Sequence, residues 1–422
     1  MRRNPWPLLT FRGKAFVLLG GLTVVLSMIF GQRDVLWFGL FLVMVPLVAL
    51  LVVARARLRL SCERRVSPPE VVVGDRMVGE LVVSKLGTLP TGLLRFEDDV
   101  PRGLGRRPRF TVHRFAGEWR REISYPMIGA QRGRFATGPL TVRATDPFSL
   151  VKLDRRFTAT SDVMVTPLVV PLPGMRNASG AGMSGESTPQ KVGVVGTDDV
   201  LVREYRAGDD VRRIHWRSTA RRDELMVRRE EQAWDPAASV LLDSRAVAHA
   251  GEGRTSSFEW AVSAATSIAL HFLDSGFRVD LFDSDGSMVS QERSVQTSAT
   301  RQQIIDQMTE VGLTSRTTLA RAVEAATMTQ RGQLMVAVTG RLSSGDAELL
   351  LATQRNRARC FALVIDADSF TARSERSTPE QYDDHQVAMA MLRDHRWRVL
   401  EVPKGTDLLE AWSQLDRMGE FV

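Results

Sequence analysis

The sequence predicts a multi-domain protein: a two-helix transmembrane hairpin, then a β-sandwich, then a doubly wound α/β domain. Three observations predict it. Two long uncharged runs lie near the start, "AFVLLGGLTVVLSMIFGQ" (15–32) and "VLWFGLFLVMVPLVALLVVA" (35–54). Short alternating stretches broken by Gly, Pro and Asp follow them. From residue 238 onward, apolar strands alternate with amphipathic helices. The implied boundaries are 1–59 for the membrane anchor with its basic flanks, 60–168 for the sandwich, 169–198 for a linker or loop, and 199–422 for the rest.

A helix needs roughly 20 apolar residues to cross a bilayer, and the two runs meet or approach that length. Only Arg33 and Asp34 separate them, so the helices must run antiparallel, each satisfying its own backbone. Arg2, Arg3, Arg12 and Lys14 precede the first run, and Arg55, Arg57, Arg59, Arg64 and Arg65 follow the second. That excess of positive charge predicts a cell-membrane protein with both termini and its soluble domains in the cytoplasm. A cleaved signal peptide would show a small-x-small site after the first run, but a second apolar run follows instead.

The chain has 422 residues, 44% apolar and 25% charged, enough for several buried cores. Its net charge of +7, dominated by arginine, suits an anionic partner, and a lipid bilayer qualifies as well as a nucleic acid. Cys62 and Cys360 lie far apart and match no zinc or redox spacing, which predicts free thiols in a reducing compartment.

"RMVGELVVS", "WRREISYPM", "GRFATGPLTVRA" and "FSLVKL" read as strands, with "PPEVVVGD", "TLPTG" and "ATDPF" as breaks between them. Residues 171–198 are rich in Gly, Ser and Pro and read as a linker or long loop. Within them "GAGMSGES" has phosphate-loop spacing. However, Glu186 stands where lysine belongs and would repel a phosphate, so nucleotide binding is excluded there. Beyond residue 238, "SVLLD", "RVDLFD", "LMVAVTG", "CFALVID" and "RVLEVP" alternate with helical stretches, the pattern of a parallel sheet covered on both faces. Ligands of such sheets sit beyond the carboxyl ends of the strands, which singles out Asp243, Asp283, Gly340 and Asp366.

Between Arg203 and Arg229 lie nine arginines and five acids, with no lysine. Interleaved acids and few aromatics argue against a nucleic-acid partner. Arginine without lysine points to planar, bidentate pairing. Gly208, Asp209 and Asp210 predict a turn and N-cap for a short helix through Ala220. In that helix Arg213, Arg217 and Arg221 share one side, and Trp216 and Ala220 a neighbouring one. "ELMVRRE" then reads as a strand. The plain reading is a salt-bridged corner anchored by Trp216. The sharper one is a surface that receives a partner's carboxylates. Catalysis has less support, because His215 has no neighbouring nucleophile in sequence.

The stretch "REYRAGDDVRRIHWRSTAR" resembles the signature of domain-of-unknown-function family 58. By position its signature residues are Arg203, Tyr205, Gly208, Asp209, Arg213, His215, Trp216, Ala220 and Arg221. The resemblance implies an N-terminal helix pair, a β-rich segment and a von Willebrand A-like α/β module. It also implies partners, a MoxR-type AAA+ ATPase and a membrane transglutaminase-like protein, in a chaperone or assembly role. It implies no enzymatic activity. A von Willebrand A module often holds a divalent cation through Asp-x-Ser-x-Ser, a threonine and a further aspartate. Here Asp243 is kept and Thr317 or Thr318 could serve, but Arg245 and Val247 replace the serines and Gly340 stands where the second aspartate belongs. This degenerate remnant, with an arginine placed to neutralise Asp243, predicts no bound metal, and no cofactor is expected. The leading expectation is therefore a membrane-anchored adaptor. The alternative is a hydrolase or transferase using Asp243, Asp283 or His215.

Overall fold

The computed structural model describes residues 8–55, 60–85, 93–113, 117–146, 148–175, 202–205, 214–222, 224–228, 237–290, 297–329, 334–356, 359–372 and 376–418. The chain divides into two compact units. The first is Met1–Leu168 with the segments Glu252–Thr255 and Ile305–Val311, and the second is the remainder from Val169.

The first unit begins with α1 (Phe11–Phe30) and α2 (Arg33–Arg55), both long and apolar enough to cross a membrane. Both start a few residues earlier than their uncharged runs, because Thr10 caps α1, accepting from the Gly13 amide, and Arg33 and Asp34 are already helical. The helices meet through small residues. Gly20 and Ser27 lie seven positions apart on the buried side of α1, and Gly39 and Pro46 do so on α2. A Cβ on Gly20 would lie 2.9 Å from the Gly39 carbonyl oxygen, so the backbones touch where lipid-like side chains could not fit. Large apolar residues such as Leu22, Met28, Trp37 and Phe41 point outward and are exposed.

The β-rich part contains β1 (Leu60–Ser67), β2 (Glu70–Val72), β3 (Arg76–Lys85), β4 (Leu93–Asp98), β5 (Arg109–His113), β6 (Trp119–Ile128), β7 (Gly133–Thr137), β8 (Leu140–Thr145), β9 (Lys152–Phe157) and β10 (Ser161–Thr166). They form three sheets, ordered β1-β3-β6, β2-β10-β7 and β5-β4-β8-β9, around one core. Alternation decides which face is buried: β3 buries every second residue, among them Met77, Leu81 and Val83. The stretch read as one strand, "GRFATGPLTVRA", is two strands in different sheets. The chain changes sheet at Gly138, whose φ of +97° a side chain would resist. "FSLVKL" is not a strand from its start either; Phe148–Leu150 form a turn and β9 begins at Lys152. Strand β2 lies inside "PPEVVVGD", which reads as a break in sequence.

Arg64, counted above with the basic flank, is only 2% exposed. It makes a bidentate pair with Asp98 at 3.0 and 2.5 Å, and Tyr125 donates to the same carboxylate at 2.5 Å. Burial first, then the bond to Asp98, push the Tyr125 phenol well above its ordinary value.

The second unit holds β11 (Val202–Glu204), α3 (Trp216–Arg222), β12 (Met226–Arg228), β13 (Ala237–Leu242), α4 (Ser257–Asp274), β14 (Arg278–Asp283) and β15 (Gly286–Ser290). It continues with α5 (Thr297–Glu310), whose residues from Ile305 on belong to the first unit, then α6 (Ala320–Met328), β16 (Leu334–Thr339), α7 (Ser344–Ala352), β17 (Arg359–Ile365), α8 (Pro379–Asp394), β18 (Arg398–Val402) and α9 (Leu408–Arg417). Six strands form one sheet in the order β15-β14-β13-β16-β17-β18. Five are parallel and β15 alone runs antiparallel to its neighbour. That edge strand has no counterpart in the sequence reading. Every residue of β13 and β16 is buried, as a sheet covered on both faces requires. Helices α6, α7 and α8 share a core with one face of the sheet. On the other, α4 contacts β13, β14 and β16, and Phe272 of α4 packs edge-on against Trp412 of α9 at 6.0 Å. The start of the expected linker lies against these helices: the Ser267 hydroxyl accepts the Val170 amide at 2.9 Å, while Trp412 donates to the Pro173 carbonyl at 3.0 Å. Residues 176–198, including the phosphate-loop look-alike, lie outside the described residues.

Candidate functional site

Numbered in chain order, the strands of this sheet lie in the order 3-2-1-4-5-6, and the order reverses between β13 and β16. Chains diverge there and leave a crevice at the carboxyl ends. Asp243 follows β13 and Gly340 follows β16, so two of the four residues singled out in sequence flank that point.

The crevice is filled from within. Arg245, 1% exposed, turns back on Asp243, 0% exposed, with Nε and Nη2 donating to the two carboxylate oxygens at 2.9 and 2.8 Å. Its Nη1 donates to Asp346 Oδ1 at 2.8 Å and to the Thr317 carbonyl at 3.0 Å. Asp346 works twice: its other oxygen accepts the Ser343 amide and hydroxyl at 3.0 and 2.9 Å, closing a capping box at the start of α7. Ser284 donates to Asp243 at 3.2 Å and accepts the Ser244 amide at 2.8 Å. One guanidinium thus satisfies two buried carboxylates and a carbonyl, with planar geometry that lysine could not supply.

These residues do not fit a divalent cation. Both Asp243 oxygens already accept from Arg245, and a positive charge occupies the place where an ion would bind. Thr317 contributes its carbonyl rather than its hydroxyl, and Thr317 and Thr318 are exposed. Among the described residues no group of three His, Cys, Asp or Glu side chains could hold a metal. Beside them lies an open cavity of about 400 Å³, lined by hydroxyl side chains with Arg316, Arg321 and Asp285, in which Arg316 pairs with Asp285.

The other strand-end residues have structural work. A Cβ on Gly340 would sit 2.0 Å from the Ala248 carbonyl oxygen, so only glycine fits. Asp283 accepts the Asp285 and Gly286 amides at 2.9 and 3.1 Å, turning the chain into β15, and burial raises its pKa. Asp366 caps a short turn, accepting the Ser369 amide at 3.3 Å.

His249 was not singled out in sequence, yet it closes the site from behind. Its Nε2 meets the Asp243 carbonyl at 2.7 Å, its Nδ1 meets Ser257 at 3.1 Å, and Phe258 packs edge-on at 5.3 Å. Burial lowers its pKa, and likewise those of His271 and His385. His385 Nδ1 accepts the Leu342 amide at 3.0 Å, which the neutral ring alone can do. Below the ordinary histidine value of about 6.5 the unfolded chain takes up protons that the folded unit refuses. Stability of this unit is therefore expected to be full above about pH 6.5 and to decline as pH falls from there towards the depressed folded values. Thermal unfolding followed between neutral and mildly acidic pH checks this; a flat profile across that window would contradict it.

The signature segment departs from the expected corner. Gly208, Asp209 and Arg213 lie outside the described residues. Arg203 sits in β11, opposite Val227 of β12, and the Tyr205 amide donates to the Leu225 carbonyl at 2.7 Å. Helix α3 starts at Trp216, because Ile214 bridges Val227 and the His215 amide donates to the Met226 carbonyl at 2.7 Å, and the expected cap at Asp210 lies outside the described residues. Of the three arginines expected on one helical side, only Arg217 and Arg221 lie within α3 as described. His215 stands at the helix entrance, where its Nδ1 meets the Ser218 hydroxyl at 2.9 Å. Trp216 is no anchor: 68% of it is exposed. Arg217, Arg221 and Arg222 are exposed too and enter no ion pair among the described residues.

A family model described as Protein of unknown function DUF58 matches residues 201–399. No curated protein matches the chain. Among solved structures it is similar to the CARDB domain of a Pyrococcus furiosus protein, at 17% identity over 25% of this chain and 91% of that one, with a TM-score of 0.18. It is also similar to the alkylpurine DNA glycosylase AlkC of Pseudomonas fluorescens, at 16% identity over 33% of this chain and 42% of that one, TM-score 0.17. A β-glucosidase from Erythrobacter marinus overlaps at 8% identity over 23% of this chain and 15% of that one, TM-score 0.12. Overlaps this partial carry no argument about fold or activity.

Proposed function

Through residues 201–399 this chain belongs to the DUF58 family of proteins of unknown function, and from that premise we propose that it is a membrane-anchored docking protein. In this reading α1 and α2 cross the cell membrane, the basic flanks keep both termini and the soluble units in the cytoplasm, and the second unit is a von Willebrand A-like module. The partner class is the one that the family resemblance implies, a MoxR-type AAA+ ATPase working with a membrane transglutaminase-like protein in assembly.

One observation carries the reading. The family signature places an exposed tryptophan, Trp216, beside exposed arginines, Arg217, Arg221 and Arg222, on a short helix. Tryptophan and arginine are the side chains that most often dominate protein–protein binding energy. A tryptophan that served packing alone would be buried. The hydrolase or transferase alternative loses its first support, since Asp243 is locked to Arg245 and is not open to a substrate.

Replacing Trp216 and Arg221 by alanine is expected to change stability by no more than about 0.5 kcal/mol, as for other surface positions. The same double variant is expected to lose captured ATPase in crosslinked pull-downs from native membranes. Capture at the wild-type level by the folded variant would refute docking through α3.

A further inference from the structure

We propose that the turn between β8 and β9, led by Phe148, is seated in the interfacial layer of the bilayer, resting one edge of the β-rich unit on anionic lipid headgroups. The proposal rests on the reading that α1 and α2 span that bilayer.

The turn is rigid. Asp146, 5% exposed, accepts the Val151 amide at 2.6 Å and the Phe148 amide at 3.0 Å, while its own carbonyl accepts the Ser149 amide at 2.9 Å. Ser149 completes it with a φ of 58°. From this frame the Phe148 side chain stands out, 70% exposed.

The turn is also fastened to the first turn of α1. The Thr10 amide donates to the Leu150 carbonyl at 2.9 Å, the Thr10 hydroxyl donates to the Ser149 carbonyl at 2.6 Å, and Leu9 bridges Val151. At Gly13 the approach is so close that a Cβ would lie 2.2 Å from the Leu150 carbonyl oxygen. Leu150 and Val151 are buried with Phe16, Val17, Val45 and Leu50 of the two helices.

These bonds fix the height of Phe148. Helix α1 has 20 residues, about 30 Å at 1.5 Å per residue, which matches the hydrocarbon thickness. Its first turn, and hence everything bonded to it, lies at one boundary of that layer. Arg12 and Lys14 in α1 and the exposed Lys152 after the turn make the level basic, and Phe11, 88% exposed, adds a second aromatic ring there. A lone exposed phenylalanine has no meaning in water. Two of them at bilayer depth, ringed by cations, have the composition of an interfacial contact with anionic lipid.

The test places a photoreactive phenylalanine analogue at Phe148, and separately at Val25 within α1, in the full chain reconstituted in nanodiscs of phosphatidylcholine and phosphatidylglycerol. Lipid adducts are read by mass spectrometry. The expected result is adducts at both positions, with phosphatidylglycerol enriched about fivefold over its bulk share at position 148, the effect of roughly one basic side chain at the surface. Adducts at position 25 but not at 148 overturn the proposal and leave the membrane-spanning reading intact. Adducts at neither position overturn both. An unenriched lipid ratio at 148 overturns the anionic part.

Discussion

Replacing Arg245 by methionine is expected to lower the unfolding free energy of the α/β unit by about 3–5 kcal/mol. Arg245, Asp243 and Asp346 have side chains 2%, 0% and 7% exposed. Methionine fills much of the volume but leaves two carboxylates in the interior without a counter-charge, and it orphans the Thr317 carbonyl. A second substitution, Asp243→Leu, added to the first is expected to recover part of the loss, since removing both members of a buried pair costs less than removing one. Amide exchange in β13 and β16 of the full chain is the measurement, because those strands report opening of this unit. A loss below about 1 kcal/mol, the range of exposed pairs, would mean that water reaches the guanidinium.

Replacing Asp98 by alanine is expected to cost a similar amount, about 3–5 kcal/mol, in the β-rich unit. The side chains of Arg64 and Asp98 are 2% and 0% exposed, so alanine strands a guanidinium in the core and removes the acceptor of Tyr125. Tyr125→Phe is expected to cost only about 1–2 kcal/mol, because Asp98 keeps its bidentate partner and loses one neutral donor. The ratio between the two variants, read from exchange in β3 and β6, is the discriminating quantity. Equal losses would mean that the phenol rather than the ion pair holds this corner.

The architecture was legible where one physical rule dominates. Unbroken apolar runs announced α1 and α2, and the five parallel strands of the second unit read as apolar stretches because both sheet faces are covered. Strand β15 was missed because Gly286–Ser290 is short and sits at an edge, where pairing decides the conformation more than hydrophobicity does. Its signal was the turn chemistry of Asp283, Asp285 and Gly286. The pairing of Arg245 with Asp243 was readable from proximity in sequence. Asp346, 101 residues further on, was not: "SSGD" announces a helix cap, and nothing in the chain says that its carboxylate also faces Arg245. Trp216 was misjudged for the opposite reason. Tryptophan beside arginine and alanine reads as a core anchor, but the bridge from Ile214 to Val227 delays the helix and leaves the indole exposed.

Because the charge at the strand crossover is carried on the side chain of Arg245, it is present at a fixed stoichiometry of one per chain. An ion bound from solution would make the loops above the sheet answer to its free level and to any chelator. A tethered one answers to neither, so the carboxyl end of this sheet is preset by the chain itself.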